Sequence, residues 1–221
     1  MAAIINFLNI QIQTQISIDN SVFVFDGNSL TAGQGGTPYP TQFAALDGIA
    51  GKNCTFYNIG VSGQTTTQII SDFNSQVAPL YNSAKNCYYF VNEIGNEVNI
   101  VGVTQAMTNF WTLCDMAKAV GFKVGIINLE DRTLSYYQEQ GLYLEVDDNE
   151  FRAKLAECRV QLLANWQSHG DMFIDLFATS ELSNAWNTTY FTDRVHNTTA
   201  GYAVWANEVK KSLFGYCNIP L

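Results

Sequence analysis

Four short stretches, far apart in the chain, hold the residue types that nucleophilic catalysis needs. Asp26-Gly27-Asn28-Ser29-Leu30-Thr31-Ala32-Gly33 presents a serine shortly after a glycine. At the end of a buried strand such a turn exposes the hydroxyl; the competing reading is an N-cap serine. Asn58-Ile59-Gly60-Val61-Ser62-Gly63 has glycine where backbone N–H groups can approach a ligand closely, or where the chain simply turns. Glu93-Ile94-Gly95-Asn96-Glu97 offers an amide donor for an oxyanion, with Asn92 as the alternative to Asn96. Asp193-Arg194-Val195-His196 sets a carboxylate three residues before an imidazole, where it can orient the ring and stabilise its protonated form. The chain has two histidines. His169, in Ser168-His169-Gly170, closes a long helical stretch, where a cation suits the dipole and glycine ends the helix. His196 has no such structural reason.

These stretches matter together only if the fold brings them to one place. Near-continuous apolar runs at Ser21–Asp26, Cys54–Ile59, Cys87–Ile94, Phe122–Asn128 and Met172–Leu176 read as strands buried on both faces. Between them, Thr65–Tyr81, Thr104–Val120, Asp148–Ser168 and Thr198–Leu213 read as helices, the second stopped by Gly121. In Asp148–Ser168, Phe151, Leu155, Leu162 and Trp166 share one face. Strand alternating with helix predicts an α/β three-layer sandwich: a doubly wound, five-stranded parallel sheet of flavodoxin-like type. Ligands then sit beyond the carboxyl ends of the strands, where the four stretches fall. Residues 9–18 alternate strictly, with Ile10, Ile12, Ile16 and Ile18 on one side. They predict an extra strand in an N-terminal extension over 1–20, suited to a contact between copies of the chain, ahead of one domain over 21–221.

In this order and at this edge, the stretches resemble the blocks of the SGNH hydrolases, the GDSL-type esterases and acylhydrolases. The resemblance spans residues 21 to 213. It puts the nucleophile on Ser29, the base on His196 and its carboxylate on Asp193. It also implies an oxyanion hole from the Ser29 and Gly60 N–H groups and the Asn96 amide. Asn28 replaces the usual aspartate before the serine. The third block is typically Gly-x-Asn-Asp, whereas here Gly95 directly precedes Asn96 and Glu97 follows. Arg194 stands where glycine is common.

The implied chemistry is two-step acyl transfer with no metal or organic cofactor. Two histidines are too few for a dinuclear metal hydrolase, and the Gly-x-Ser-x-Gly elbow of the α/β hydrolases is absent. Gly33–Pro40 and Leu129–Asp147 are expected to wall the site, with Tyr39, Tyr136 and Tyr137 as candidate substrate contacts. Net charge is −9 and charged residues are 14%, which argues against nucleic acid and favours a neutral carbohydrate ester, of short acyl chain, over a phospholipid film. A lipid or thioester acylhydrolase is the alternative, as is a catalytically silent carbohydrate-binding or assembly module. No apolar segment reaches the length of a membrane span, and the first positive residue is Lys52, so no signal peptide is expected. The compartment then is cytoplasmic, or that of a larger extracellular or viral assembly. Five cysteines without metal-ligand spacing read as small buried hydrophobes.

Overall fold

The computed structural model describes residues 15–221. Its elements, in order, are β1 (Val22–Gly27), α1 (Ser29–Ala32), α2 (Tyr39–Ala44), β2 (Thr55–Asn58), α3 (Thr66–Gln76), β3 (Cys87–Asn92), α4 (Val98–Val120), β4 (Lys123–Ile127), α5 (Ser135–Glu139), α6 (Asp148–His169), β5 (Met172–Ile174) and α7 (Thr199–Cys217). The sheet order is β2-β1-β3-β4-β5, and every pairing is parallel. This is the doubly wound α/β sandwich that the alternating runs predict.

Side chains alternate along each strand, so one sheet feeds two cores. Val22, Val24, Tyr89, Val91, Val124 and Ile126 pack under α3, α4 and α6. Phe23, Phe25, Tyr88, Phe90 and Ile174 pack under α2 and α7, around a fully buried Trp205. Phe23 stacks on Tyr88 and Phe25 on Phe90, so β1 and β3 are joined by aromatic pairs as well as by the ladder.

Helix ends follow their local chemistry. Thr65 and Gln68 form a reciprocal capping box at the start of α3, and Pro79 follows its end. Gly121 ends α4 in the left-handed conformation. Gly102 takes φ 77° and ψ 168° inside α4. The helical period therefore begins at Thr104, while Val98–Val101 form a separate turn reaching toward the strand ends. The short helices α1, α2 and α5 carry no period of their own. Of the strand predicted over 9–18, residues 9–14 lie outside the described residues, and residues 15–18 carry no strand. Ile18 is buried against the α7 side, and the Ile16 N–H donates to the Cys217 carbonyl at 3.0 Å. Cys87, Cys114, Cys158 and Cys217 are buried and Cys54 is partly buried, all as free thiols. No described helix is long and apolar enough to cross a membrane.

Gly27 is the last residue of β1 and sets the exit toward Ser29. Its φ is +148°, and a Cβ there would lie 2.3 Å from the Asn92 carbonyl oxygen of β3. Gly27→Ala should therefore destabilise the fold by roughly 2–4 kcal/mol, from backbone strain plus overpacking. Urea denaturation should show a lower midpoint with the slope preserved.

Candidate active site

Ser29 is the first residue of α1, directly after the β1 exit. The Asn28 side chain accepts the Leu30 N–H at 3.0 Å and caps the helix. Asn28 is buried. A neutral amide oxygen can make this cap without burying a charge, which accounts for asparagine where aspartate is usual.

His196 comes from the loop before α7. Its Nε2 lies 2.8 Å from Ser29 Oγ, across 167 residues of sequence. Its Nδ1 lies 2.7 Å from Asp193 Oδ2. Asp193 Oδ1 accepts the Val195 N–H at 3.1 Å and the His196 N–H at 2.6 Å. One carboxylate thus folds the turn and orients the ring, which is why the two residues are three apart. Arg194 between them has φ +64°, the left-handed conformation that favours glycine. Its side chain is held in return, with Nη1 donating to Ser135 Oγ at 2.9 Å and Glu139 Oε1 at 2.6 Å.

Asp193 Oδ2 also accepts the Tyr137 hydroxyl at 2.6 Å. Burial alone would raise the Asp193 carboxyl. Hydrogen bonds from His196 and Tyr137 more than offset this and hold it at about 2. Burial and the bond to Asp193 push the Tyr137 phenol up, so it stays a donor.

Beside Ser29 and His196 opens a cavity of about 630 Å³, whose lining includes Gly63, Asn96, Tyr137 and Tyr143. Gly60 is not among its lining residues. Its N–H donates to Asn58 Oδ1 at 3.2 Å, and a Cβ there would meet Ala32 N and Thr31 Cβ at 2.7 Å. Gly60 therefore serves close packing of the β2 exit on α1. Gly63, three residues on with φ +81°, is the glycine that faces the cavity. Asn96 lines it too, its Nδ2 donating to the Gln64 carbonyl at 3.0 Å. Asn92 is fully buried and donates to the Ile127 carbonyl at 3.1 Å, tying β3 to β4 away from the cavity.

The three tyrosines divide. Tyr39 is a correction: it is fully buried between Phe25 and Trp205, with its hydroxyl 3.4 Å from Thr31 Oγ1, so it belongs to the core. Tyr136 is exposed and sits edge-on to Tyr137, outside the cavity lining. Tyr137 lines the cavity, but its hydroxyl is engaged by Asp193.

Sequence reasoning missed the polar floor of the site. Arg132 is buried, lines the cavity and lies under Gly95, where a Cβ would stand 2.4 Å from its Nη1. Glu93 and Glu130 lie near it in charge terms. Burial raises both carboxyls, Glu130 to about 7, while Arg132 pulls them down. Glu130 accepts the Trp205 indole N–H at 3.0 Å. Glu97 takes the Thr67 N–H and hydroxyl, both at 2.7 Å, and the Asn109 amide, fastening the Asn96 turn to α3 and α4. Buried charges in the loops after β3 and β4 were the available signal. Among the described residues no cluster of His, Cys, Asp and Glu is placed to hold a metal ion.

No family model and no curated protein matches the chain. Solved structures do. A GDSL-like lipase from Bacteroides thetaiotaomicron superposes with a TM-score of 0.62 at 20% identity, covering 91% of this chain and 92% of its own. A member of the lipolytic G-D-S-L family from Veillonella parvula gives 0.66 at 19% identity, over 86% and 97% of the two chains. A variant of an acetyl-xylooligosaccharide esterase from Geobacillus gives 0.62 at 13% identity, over 90% and 96%. The chain has the fold of the GDSL-type hydrolases.

The Asp193 carboxyl is held below its ordinary 3.8 in the folded state, at about 2. Its contribution to stability is present above about pH 4 and is lost as pH falls from there toward 2. Thermal melts of wild type and Asp193→Asn across this range should show a gap that closes toward the acid end.

Proposed function

We propose that the protein is a serine ester hydrolase of the SGNH type. The observation that carries this reading is the unbroken hydrogen-bonded line Ser29–His196–Asp193 at the carboxyl edge of the sheet, opening on the cavity. Ser29 Oγ attacks the ester carbonyl carbon while its proton passes to His196 Nε2. The carbonyl becomes an oxyanion, met by the N–H groups of Ser29 and Gly63 and by the Asn96 amide. Collapse breaks the bond to the alcohol oxygen, which takes the proton from His196. Water then adds to the acyl-Ser29 carbonyl, giving a proton to His196, and the acid leaves as Ser29 recovers its hydrogen. Asp193 stays ionised and holds the imidazole tautomer throughout.

For the substrate we propose a short acyl group, such as acetyl, on a carbohydrate. Gln34, Asn96, Asn99 and Tyr143 give the cavity wall hydrogen-bonding and stacking groups suited to a sugar. The structural likeness to an acetyl-xylooligosaccharide esterase agrees with this reading. A longer acyl chain is the second reading, favoured by exposed Ile100 and Tyr143 on the lining and by Leu142 and Leu144 beside Tyr143.

Ser29→Ala should remain folded and lose ester turnover by about 10⁴-fold or more. A fluorophosphonate should label Ser29 in the wild type. Turnover of p-nitrophenyl esters from acetate to palmitate decides the chain length: a rise in kcat/KM beyond butyrate favours the second reading. Near-normal turnover by folded Ser29→Ala would refute the mechanism.

Asn96→Ala should lower kcat by roughly 10²- to 10³-fold with little change in KM, as for one lost oxyanion donor. Asn92→Ala should lower stability instead, by about 1–3 kcal/mol, because it leaves the Ile127 carbonyl unpaired. Paired kinetics and melts separate the two asparagines; turnover lost only in the Asn92 variant would move the donor away from Asn96.

A further inference from the structure

Tyr137 stands between the cavity wall and the Asp193–His196 pair. Its hydroxyl donates to Asp193 Oδ2, the same oxygen that faces the imidazole, and lies 3.2 Å from His196 Nδ1. Packing fixes the ring from both sides: edge-to-face against Tyr143 at 5.7 Å and against His196 at 6.5 Å. Tyr143 adopts φ +54°, an uncommon conformation for a bulky residue, and Gln138 Nε2 reaches its carbonyl at 3.3 Å.

The segment that carries Tyr137 is fastened at several points. Arg152 pairs with Asp131 at 3.3 Å. Arg159 donates to the Leu129 carbonyl at 3.1 Å and to the Glu130 carbonyl. Arg194 ties Ser135 and Glu139 to the His196 turn. Asp148 accepts the Leu134 N–H at 2.6 Å and the Thr133 hydroxyl at 2.5 Å. This is a braced wall, and it delivers one hydroxyl to a fixed point on the Asp193 carboxylate.

Resting on the Ser29–His196–Asp193 reading, we infer that Tyr137 is a positioning residue that sets the basicity of His196 by sharing Asp193 Oδ2 with it. The physical reason is competition for one oxygen. A phenol donating to Oδ2 withdraws charge from the carboxylate and weakens its hold on the imidazolium. Without that donor, Oδ2 attracts the charged imidazole more strongly, and His196 keeps its proton to higher pH. The groups facing this pair are few. Ser29 comes from α1, Tyr137 from α5 and Tyr202 from α7, while the Arg194 side chain turns away to Glu139. Arg132 and Glu145 stand elsewhere on the cavity lining. Tyr137 is the only side chain among them, apart from His196, that gives Asp193 a hydrogen bond.

The test follows the imidazole directly, so it does not depend on turnover. The chain has two histidines, and the His196 Cε1–H resonance is assigned by difference from a His169→Gln variant. Tyr137→Phe keeps the ring and removes the donor. It should raise the His196 titration midpoint by about half a pH unit or more. Tyr136→Phe, which leaves the Asp193 contact intact, should not move it. Site-specific 3-fluorotyrosine at 137, a stronger donor of nearly the same shape, should move the midpoint down. Parallel kinetics on p-nitrophenyl acetate should show kcat of Tyr137→Phe reduced several-fold with KM little changed. An unmoved midpoint in Tyr137→Phe overturns the inference, whatever kcat does. If that variant does not fold, an unmoved midpoint in the fluorotyrosine protein overturns it instead. If Tyr137→Phe moves the midpoint but the wild type neither turns over esters nor labels at Ser29, the esterase reading is refuted and the Tyr137 result stands.

Discussion

The site depends on one carboxylate that is filled with donors. Asp193 accepts two backbone N–H groups through Oδ1, and the imidazole and a phenol through Oδ2. The backbone donors fold the turn, the imidazole donor aims His196 at Ser29, and the phenol joins the turn to the cavity wall. A carboxylate with fewer donors in the same half-buried place would be less strongly ionised and freer to rotate. The parallel sheet supplies the other half of the constraint. β1 and β3 run in register from Val22↔Cys87 to Gly27↔Asn92, so the Ser29 and Asn96 turns leave the same edge side by side.

Departures from the usual GDSL pattern make physical sense once each is read by what it holds. Asn28 makes the helix cap through an amide oxygen. Arg194 tolerates a glycine-like φ because its guanidinium is fastened to Ser135 and Glu139. Glu97 reaches Thr67 and Asn109 from inside the sandwich. In each case the departing residue makes side-chain hydrogen bonds that hold its own turn.

Much of this was legible before any coordinates. Strands buried on both faces leave continuous apolar runs, and all five runs are strands within a few residues. That Ser29, Asp193 and His196 come together was legible because each lies at the edge where parallel sheets present their chemistry. What stayed hidden depended on contacts between distant segments. Tyr39 sits among Gly33, Gly35, Gly36, Pro38 and Pro40 and reads as a loop aromatic. Pro38 and Pro40 in fact start α2, and Trp205 from α7 covers the ring. Gly60 and Gly63 are indistinguishable by spacing, and only the position of α1 decides which one packs and which faces the cavity. Gly95 is needed because Arg132, from another loop, occupies its Cβ side.

The distribution of arginine carries the argument one step further. The chain has four arginines, Arg132, Arg152, Arg159 and Arg194, against twenty acidic residues. One lies within the segment that follows β4, and each of the other three makes its side-chain hydrogen bonds onto residues 129–139, while Arg152 also lies over the Trp186 ring and Arg159 over the Phe177 ring. Lysine, the commoner cation here, makes exposed pairs such as Lys154 with Glu150 and Lys211 with Glu208. The division follows from the groups themselves. A planar guanidinium can serve two acceptors in fixed directions, as Arg159 and Arg194 both do, whereas an ammonium is a mobile point charge. An irregular segment has backbone carbonyls that no ladder satisfies, and its side chains have no helix or strand to hold them. Arginine meets both needs here and fastens the wall to the elements around it. That bracing holds a tyrosine on a five-residue helix at hydrogen-bonding distance from Asp193.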